Sequence, residues 1–238
     1  MACLILAAPA SAAELTVLTA GAFKDVAAAL IPAFEARTGD RVTLRNDTVG
    51  ALVRRINGGE TFDVVVMSPA GLRQIDSRIA SGSPVDVAKV GVGVAVKAGA
   101  PQPDIGTVAG FKAAMLNARA VAYIDPASGG SSGIYVAKLF QTLGIADAMA
   151  PKSVLVKGGL AAEAVADGRA DIVVHQISEI LAVPGVTLIG PLPPDIQNET
   201  IYAGAVAADA PDTARAFLGM LSGPDAKSVL SEKGMSPP

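Results

Sequence analysis

The feature that most constrains the fold of this chain is a regular alternation of short β-branched runs with longer alanine-rich stretches. The short runs have the length and the residue types of buried strands. Strands that alternate with helices form mainly parallel sheets, because a helix is the usual crossover between parallel strands. The pattern therefore predicts an α/β fold, with strands at residues 15–19, 41–45, 63–67, 90–96, 120–124, 153–156, 171–175 and 186–189.

The alanine-rich stretches carry apolar residues at helical spacing. In the first stretch Phe23, Val26, Leu30 and Phe34 fall on one face. A glycine follows several of the stretches, and glycine commonly ends a helix because it adopts the left-handed conformation. The spacing predicts helices at residues 23–37, 49–57, 70–80, 108–117, 132–143, 160–167 and 212–221.

Two parts of the chain resemble each other weakly. Residues 48–68 and residues 158–176 both run from a glycine-containing loop through a helix to a strand that ends in polar residues. Two similar α/β lobes would produce this pattern, and so would the general similarity of alanine-rich units. Segments rich in proline and glycine at 97–103 and 191–197 are typical of crossings between lobes. We therefore expect a ligand cleft between two lobes, at strand carboxyl ends and helix N-termini.

The amino-acid composition excludes or disfavours several classes of protein and of binding site. The chain is 51% apolar and 17% charged, which excludes a disordered chain. Its net charge of −3 and its aromatic content of 4% argue against nucleic-acid binding by a basic surface or a stacking groove. A single Cys and a single His exclude a disulfide framework, a cysteine zinc site and a multi-histidine metal centre. We expect no cofactor, no metal and no membrane span.

The N-terminal segment 1–13, with the sequence MACLILAAPASAA, is uncharged and apolar and ends in small residues. Small residues at this place are typical of a secretory cleavage site. The basic N-terminal region of a signal peptide is missing and the apolar stretch is short. We therefore interpret the segment as the remnant of a signal peptide whose start codon was assigned too far downstream. A disordered cytoplasmic N-terminus is the alternative. The interpretation predicts export to the periplasm.

Five segments occur in a characteristic order. They are Gly21 to Phe23 after the first strand, Thr48 to Leu52, Asp63 to Ser68, Asp125 to Tyr135, and a late Gly223-Pro224. In this order they resemble the extracytoplasmic solute-binding proteins of ABC importers. The similarity is greatest to the molybdate-binding branch, which also includes aconitate isomerase-like proteins. The resemblance extends from residue 15 to residue 235.

The resemblance implies the architecture and the partners. It implies two Rossmann-like α/β lobes with mixed sheets and a double crossover, which is the type II periplasmic binding protein fold. Residues 14–96 and 200–238 would form lobe 1, and residues 97–199 would form lobe 2. A monomer of this kind captures a small anionic ligand, a carboxylate or an oxyanion, in its cleft. It then delivers the ligand to the membrane subunits of an ABC importer, and no nucleic acid takes part.

The chain departs from the molybdate-binding pattern at several positions that the resemblance implies are ligand contacts. Where molybdate-binding members have two serines, this chain has Ala22 and Val49. Where they have a late tyrosine, it has His175, and its Asp-Pro loop is longer and rich in serine. These departures make molybdate and tungstate less favoured ligands. They favour a larger and less symmetric anion.

The other candidate contacts lie at helix starts and strand ends. A glycine-rich helix start offers free N–H groups and a partial positive charge, and serine hydroxyls add donors. The same residues also suit ordinary turns and helix caps. The predicted ligand-binding residues are Gly21, Ala22, Phe23, Thr48, Val49, Ser68, Ser128, Gly130, Ser131, Ser132, Gly133, Gly159, His175 and Gln176. Candidate charge partners of an anion are Lys24, Arg45, Arg54, Arg55 and Lys157.

Two function hypotheses stay open at this point. A non-catalytic receptor is favoured, because the sequence contains no Gly-x-Ser-x-Gly motif and no Cys–His pair of a nucleophilic enzyme. The alternative is an enzyme of the aconitate isomerase type, which moves a proton between carbons of a bound tricarboxylate. In that case His175, Lys157 or Glu179 would carry the proton.

Overall fold

The computed structural model describes residues 12–238, so most of the predicted signal-peptide segment lies outside the described residues. The described residues form nine strands and ten α-helices. The strands are β1 Glu14–Ala20, β2 Arg41–Asp47, β3 Val64–Met67, β4 Val85–Lys97, β5 Val121–Ile124, β6 Ser153–Val156, β7 Ile172–Gln176, β8 Val186–Pro191 and β9 Glu199–Val206. The helices are α1 Lys24–Thr38, α2 Val49–Asn57, α3 Pro69–Arg73, α4 Val108–Asn117, α5 Ser131–Thr142, α6 Ala146–Met149, α7 Glu163–Ala166, α8 Ile177–Leu181, α9 Asp212–Ser222 and α10 Ala226–Glu232.

The strands form a mixed sheet in the order β2-β1-β3-β9-β4-β7-β5-β6, with β8 paired to β4. The pairs of β1 with β2 and β3, and of β5 with β6 and β7, are parallel. The antiparallel pairs all involve β4 or β9. Residues 85–91 of β4 pair with β9, whereas residues 92–97 pair with β7 and β8. The chain thus enters the second half of the molecule within β4 and returns between β8 and β9, which is a double crossover.

The two halves have separate hydrophobic cores. One core joins residues between Leu15 and Val90 to residues between Tyr202 and Met235. The second half has two clusters, one on each face of its sheet. Val94 and Val96 belong to one cluster and Ala95 to the other, as expected when successive side chains of a strand point to opposite faces. The exact lobe boundaries at 96/97 and 199/200 stay a prediction.

The sequence pattern does not predict β9, α6, α8 or α10. The second half of β9 contains Ala-Gly-Ala at residues 203–205; these residues are poor strand formers, and pairing with β3 and β4 decides their conformation. With four and five residues, α6 and α8 are too short to show helical periodicity. The predicted helix at 70–80 is in fact α3 followed by a 3-10 turn at Asp76–Arg78. No helix within residues 12–238 has the length and apolar composition that a membrane span requires.

Candidate functional site

A cavity of about 290 Å³ lies between the two halves. It is bordered by the carboxyl ends of β1, β2, β5 and β7 and by the starts of α1, α2 and α5. Strand carboxyl ends and helix N-termini are where α/β proteins usually bind ligands. The cavity is lined by Ala20, Gly21, Ala22, Lys24, Asn46, Asp47, Thr48, Val49, Ile124, Gly130, Ser131, Ser132, Gly159, Leu160, Glu163, His175, Gln176, Glu179 and Tyr202.

The two halves touch directly at one edge of the cavity. Thr48 Oγ1 caps α2 by accepting a hydrogen bond from the Ala51 N–H, and it donates to the Ser128 carbonyl at 2.6 Å. The Gly50 N–H donates to the Gly129 carbonyl at 3.2 Å. A Cβ on Gly50 would lie 2.9 Å from the Gly129 Cα, so the close approach requires glycine. The Thr48 hydroxyl therefore closes this edge and already has two partners.

The loop before α5 is held largely by its own hydrogen bonds. Asp125 Oδ1 accepts from the Ala127 N–H at 2.9 Å, and the Ser128 hydroxyl donates to the Asp125 carbonyl at 2.7 Å. Gly133 is needed for packing, because a Cβ there would lie 2.1 Å from the Ile124 carbonyl oxygen. Without a side chain at this position, the first turn of α5 packs against the end of β5.

A buried chain of polar side chains forms one wall of the cavity. Ser132 Oγ lies 3.0 Å from His175 Nδ1, and His175 Nε2 lies 3.5 Å from Glu179 Oε2. Their exposed fractions are 3%, 0% and 8%. His175 is the second-last residue of β7, and the chain turns after Gln176 into α8, which brings Glu179 back beside His175. The arrangement can hold a proton and pass it between an imidazole and a carboxylate.

Gly21 makes room for the Glu179 carboxylate. A Cβ on Gly21 would lie 2.5 Å from Glu179 Oε1, so the carboxylate rests on the backbone of the turn before α1. The turn belongs to the first half of the molecule and α8 to the second. Glu179 therefore stands between the two halves, at the boundary of the cavity.

Tyr202 and Gln176 form a second buried pair across the two halves. The Tyr202 hydroxyl donates to Gln176 Oε1 at 2.8 Å, and both side chains are almost completely buried. Burial and the nearby negative charge of Glu179 raise the pKa of Tyr202 above its ordinary value, so the phenol stays protonated. Gln176 Nε2 and His175 Nε2 have no hydrogen-bond partner within the described part of the chain. This wall of the cavity thus contains two buried nitrogen atoms that make no hydrogen bond to any residue in 12–238.

The charges around the cavity are unevenly distributed. Lys24 is the one cationic side chain among the described residues that line it. Asp47 accepts from Arg55 Nη1 at 3.2 Å and from the Thr48 N–H at 2.8 Å, so its charge is compensated. Glu163 is exposed, whereas Glu179 is buried. The candidates Arg45, Arg54, Arg55 and Lys157 do not line the cavity.

The structure brings most of the candidate residues together. Those that line the cavity are Gly21, Ala22, Thr48, Val49, Gly130, Ser131, Ser132, Gly159, His175, Gln176 and the alternative proton carrier Glu179. The remaining candidates Phe23, Ser68, Ser128, Gly133 and Lys157 do not line it. Phe23 is fully buried in the core, and Ser68 caps α3 by accepting from the Gly71 N–H at 3.3 Å. Ser128 and Gly133 shape the loop and the start of α5, as described above.

Sequence reasoning did not identify several lining residues, namely Ala20, Asn46, Asp47, Ile124, Leu160, Glu163 and Tyr202. Ala20, Asp47 and Ile124 are the last residues of strands, a position that signals proximity to the cleft once the strand bounds are known. Tyr202 gave no such signal, because its strand β9 was not predicted.

Replacing Gly21 by alanine is expected to disable the site and leave the fold intact. The new Cβ would displace the Glu179 carboxylate, which is the mobile end of a side chain, so stability should change by less than about 1 kcal/mol. Under the hypothesis that Glu179 carries a proton, the rate of the reaction should fall by at least about tenfold, because a displacement of about 1 Å is costly in catalysis. Thermal unfolding of the variant tests the effect on the fold, and initial rates test the effect on the site. An unchanged rate would contradict the hypothesis that Glu179 carries the proton.

Comparisons with known proteins agree with this architecture. Residues 15–236 match the sequence profile of the bacterial extracellular solute-binding proteins. The chain is 32% identical over 233 residues to an aconitate isomerase from Pseudomonas sp., covering 94% of this chain and 87% of the relative.

Solved structures share the fold. The periplasmic molybdate-binding protein of Azotobacter vinelandii matches with a TM-score of 0.80 and 20% identity, covering 94% of this chain and 100% of that one. The sulfate-binding protein SubI of Mycobacterium tuberculosis H37Rv matches with a TM-score of 0.71 and 17% identity, covering 94% and 87%. Peb3 of Campylobacter jejuni, with L-phospholactate bound, matches with a TM-score of 0.72 and 13% identity, covering 94% and 100%.

These matches confirm the predicted fold of two α/β lobes with mixed sheets and a double crossover. The family implies a small ligand, ABC transporter partners and a location outside the cytoplasm. From its profile match and its full-length relative, the chain belongs to the bacterial extracellular solute-binding protein family.

Proposed function

We propose that this chain binds a small polycarboxylate in the cavity and moves a proton between two of its carbons, as an isomerase of the aconitate isomerase type. The observation that carries the proposal is the buried chain Ser132–His175–Glu179, whose carboxylate lines the cavity. A receptor that only captures an anion gains nothing from a buried carboxylate in its binding cavity, since like charges repel. A proton-transfer enzyme requires a base, and a carboxylate in the binding cavity can serve as that base.

The reaction of this type has simple requirements. The geometry of a carbon–carbon double bond can change when a proton leaves the adjacent methylene carbon and returns at the far end of the allylic system. The C–H bond breaks, its electron pair spreads over three carbons and onto a carboxylate, and the double bond shifts when the proton returns. The enzyme must therefore supply a base that becomes an acid, together with donors that stabilise the negative charge.

The residues of the cavity fit these two tasks. In the proposed mechanism Glu179 takes the proton from the methylene carbon and returns it to the other end of the allylic system. His175 lies beside Glu179, with its Nε2 at 3.5 Å from Glu179 Oε2, and the Ser132 hydroxyl at 3.0 Å from Nδ1 positions the imidazole next to the carboxylate. The Tyr202 hydroxyl donates to Gln176 Oε1 and burial raises its pKa, so Tyr202 acts as a donor in this mechanism.

In the proposed mechanism Lys24 and the start of α5, which also line the cavity, bind the substrate carboxylates. Lys24 supplies a positive charge at the start of α1, and Ser131 supplies a hydroxyl at the start of α5. The first N–H groups of the twelve-residue α5 have no acceptor within the helix and carry partial positive charge. The aconitate isomerase relative and the L-phospholactate complex of Peb3 support a carboxylate-bearing ligand.

A receptor for a small anion is the second candidate function. The observation in its favour is the direct contact of the two halves through Thr48, Ser128, Gly50 and Gly129, which encloses a ligand without any chemistry. The solved relatives of the fold are binding proteins. In this function the ligand leaves unchanged for an ABC importer.

The deciding experiment incubates the purified chain with cis- or trans-aconitate and follows both isomers by proton NMR. We expect conversion from either side to one equilibrium ratio, and a strong reduction in His175→Gln. Parallel thermal-shift measurements report binding, since a ligand at 100 times its Kd adds about 2.7 kcal/mol of stability. Stabilisation by aconitate or citrate without conversion would identify a receptor. No stabilisation by any tricarboxylate would exclude both carboxylate functions, and full turnover of His175→Gln would remove the imidazole from the mechanism.

A further inference from the structure

Both signs of charge line the cavity, because Glu179 and Lys24 are among its described lining residues. The Glu179 carboxylate rests on Gly21, and over residues 12–238 the one Lys, Arg or His nitrogen within 4 Å of it is His175 Nε2, at 3.5 Å. Burial and the charge of Glu179 together raise the pKa of Tyr202, so the negative charge also acts on the neighbouring wall. The other two acidic side chains that line the cavity differ, since Asp47 is paired with Arg55 and Glu163 is exposed.

The shape of a ligand decides whether it can avoid this carboxylate. A tetrahedral dianion carries negative oxygen atoms in every direction, so in a cavity of about 290 Å³ some of its oxygens must face Glu179. An elongated polycarboxylate has carbon-bound hydrogens between its carboxylates. It can place those hydrogens against Glu179 and direct its carboxylates toward Lys24 and Ser131.

We propose that Glu179 is a specificity-determining residue that excludes tetrahedral dianions such as molybdate and sulfate and admits ligands that turn a C–H group toward it. The proposal rests on the proposed function only in taking this cavity as the binding site. It predicts that this chain, which shares its fold with molybdate- and sulfate-binding proteins, does not bind their ligands. The loss of hydroxyl donors at Ala22 and Val49 weakens binding of such ligands, whereas Glu179 actively opposes it.

The test is isothermal titration of the purified chain with molybdate and with sulfate. The wild type is expected to show no binding at millimolar concentrations, and Glu179→Gln is expected to bind at least tenfold more tightly than that limit. Glu232→Gln is the matched control, because it changes the net charge equally at an exposed position on α10. It should behave as the wild type. Glu179→Ala provides a second variant should the glutamine disturb the wall.

Two results would overturn the inference. One is tight molybdate or sulfate binding by the wild type, and the other is the absence of any gain in both Glu179 variants when their thermal unfolding shows a folded protein. Turnover of the same variants separates this inference from the proposed function. Gained oxyanion binding with intact turnover would contradict only the role of Glu179 as base. Lost turnover without gained oxyanion binding would contradict only the selectivity.

Discussion

Replacing Glu179 by glutamine is expected to slow aconitate interconversion at least about a hundredfold, because a positioned general base contributes about 10²- to 10⁴-fold to a rate. The amide has nearly the same size as the carboxylate and cannot accept the proton. Stability should change little, since the carboxylate lies at the cavity boundary and, among residues 12–238, has His175 as its one charge partner within 4 Å. Initial rates from both isomers, measured with thermal unfolding of the same preparation, test the prediction.

The matched control for this prediction is again Glu232→Gln, whose rate should equal that of the wild type. The KM of the Glu179 variant is informative as well. Removing a negative charge from the cavity should leave substrate binding unchanged or tighter, so the loss should appear in kcat. A Glu179→Gln protein that retains half of the wild-type kcat would show that another group moves the proton.

Replacing Gly133 by alanine is expected to destabilise the protein by about 3 kcal/mol, because overpacking against backbone cannot be relieved by a side-chain rotation. The added Cβ would lie 2.1 Å from the Ile124 carbonyl oxygen and 2.8 Å from its carbon. Either β5 or the whole of α5 would have to move. Urea denaturation gives the free energy of unfolding for comparison with the wild type.

Gly219→Ala is the control for Gly133→Ala. Gly219 lies exposed within α9, and no atom of the described residues stands within 4 Å of an added Cβ. Alanine should therefore stabilise the protein by about 0.5 to 1 kcal/mol, the usual difference between the two residues inside a helix. Equal stabilities of the Gly133 variant and the wild type would mean that α5 is free to shift away from β5.

Gly130 and Gly133 show which structural features the sequence alone can predict and which it cannot. The alternation of strands and helices predicts the α/β class, since periodicity is a local property that the sequence displays directly. The function of a particular glycine is not local. Gly130 lines the cavity and Gly133 serves packing against Ile124, and only the position of β5 distinguishes them.

The same limit applies to the candidate site. Gly21 follows β1, Ser131 begins α5 and His175 lies near the end of β7, so position along the chain indicates all three. Tyr202 reaches the cavity only because its strand β9 pairs with β3 and β4. Both of these strands are distant from β9 in sequence. The importance of Glu179 depends on the short helix α8, which turns its carboxylate back onto His175 and Gly21.

The way the cores are assembled has a consequence for synthesis. The core of the first half joins residues near both ends of the chain, from Leu15 to Val90 and from Tyr202 to Met235. The clusters of the second half come from one continuous stretch between Val92 and Leu192. As the chain emerges from the ribosome, the second half has all of its core residues before the first half does. The part of the protein that is translated first is therefore the last to be completed.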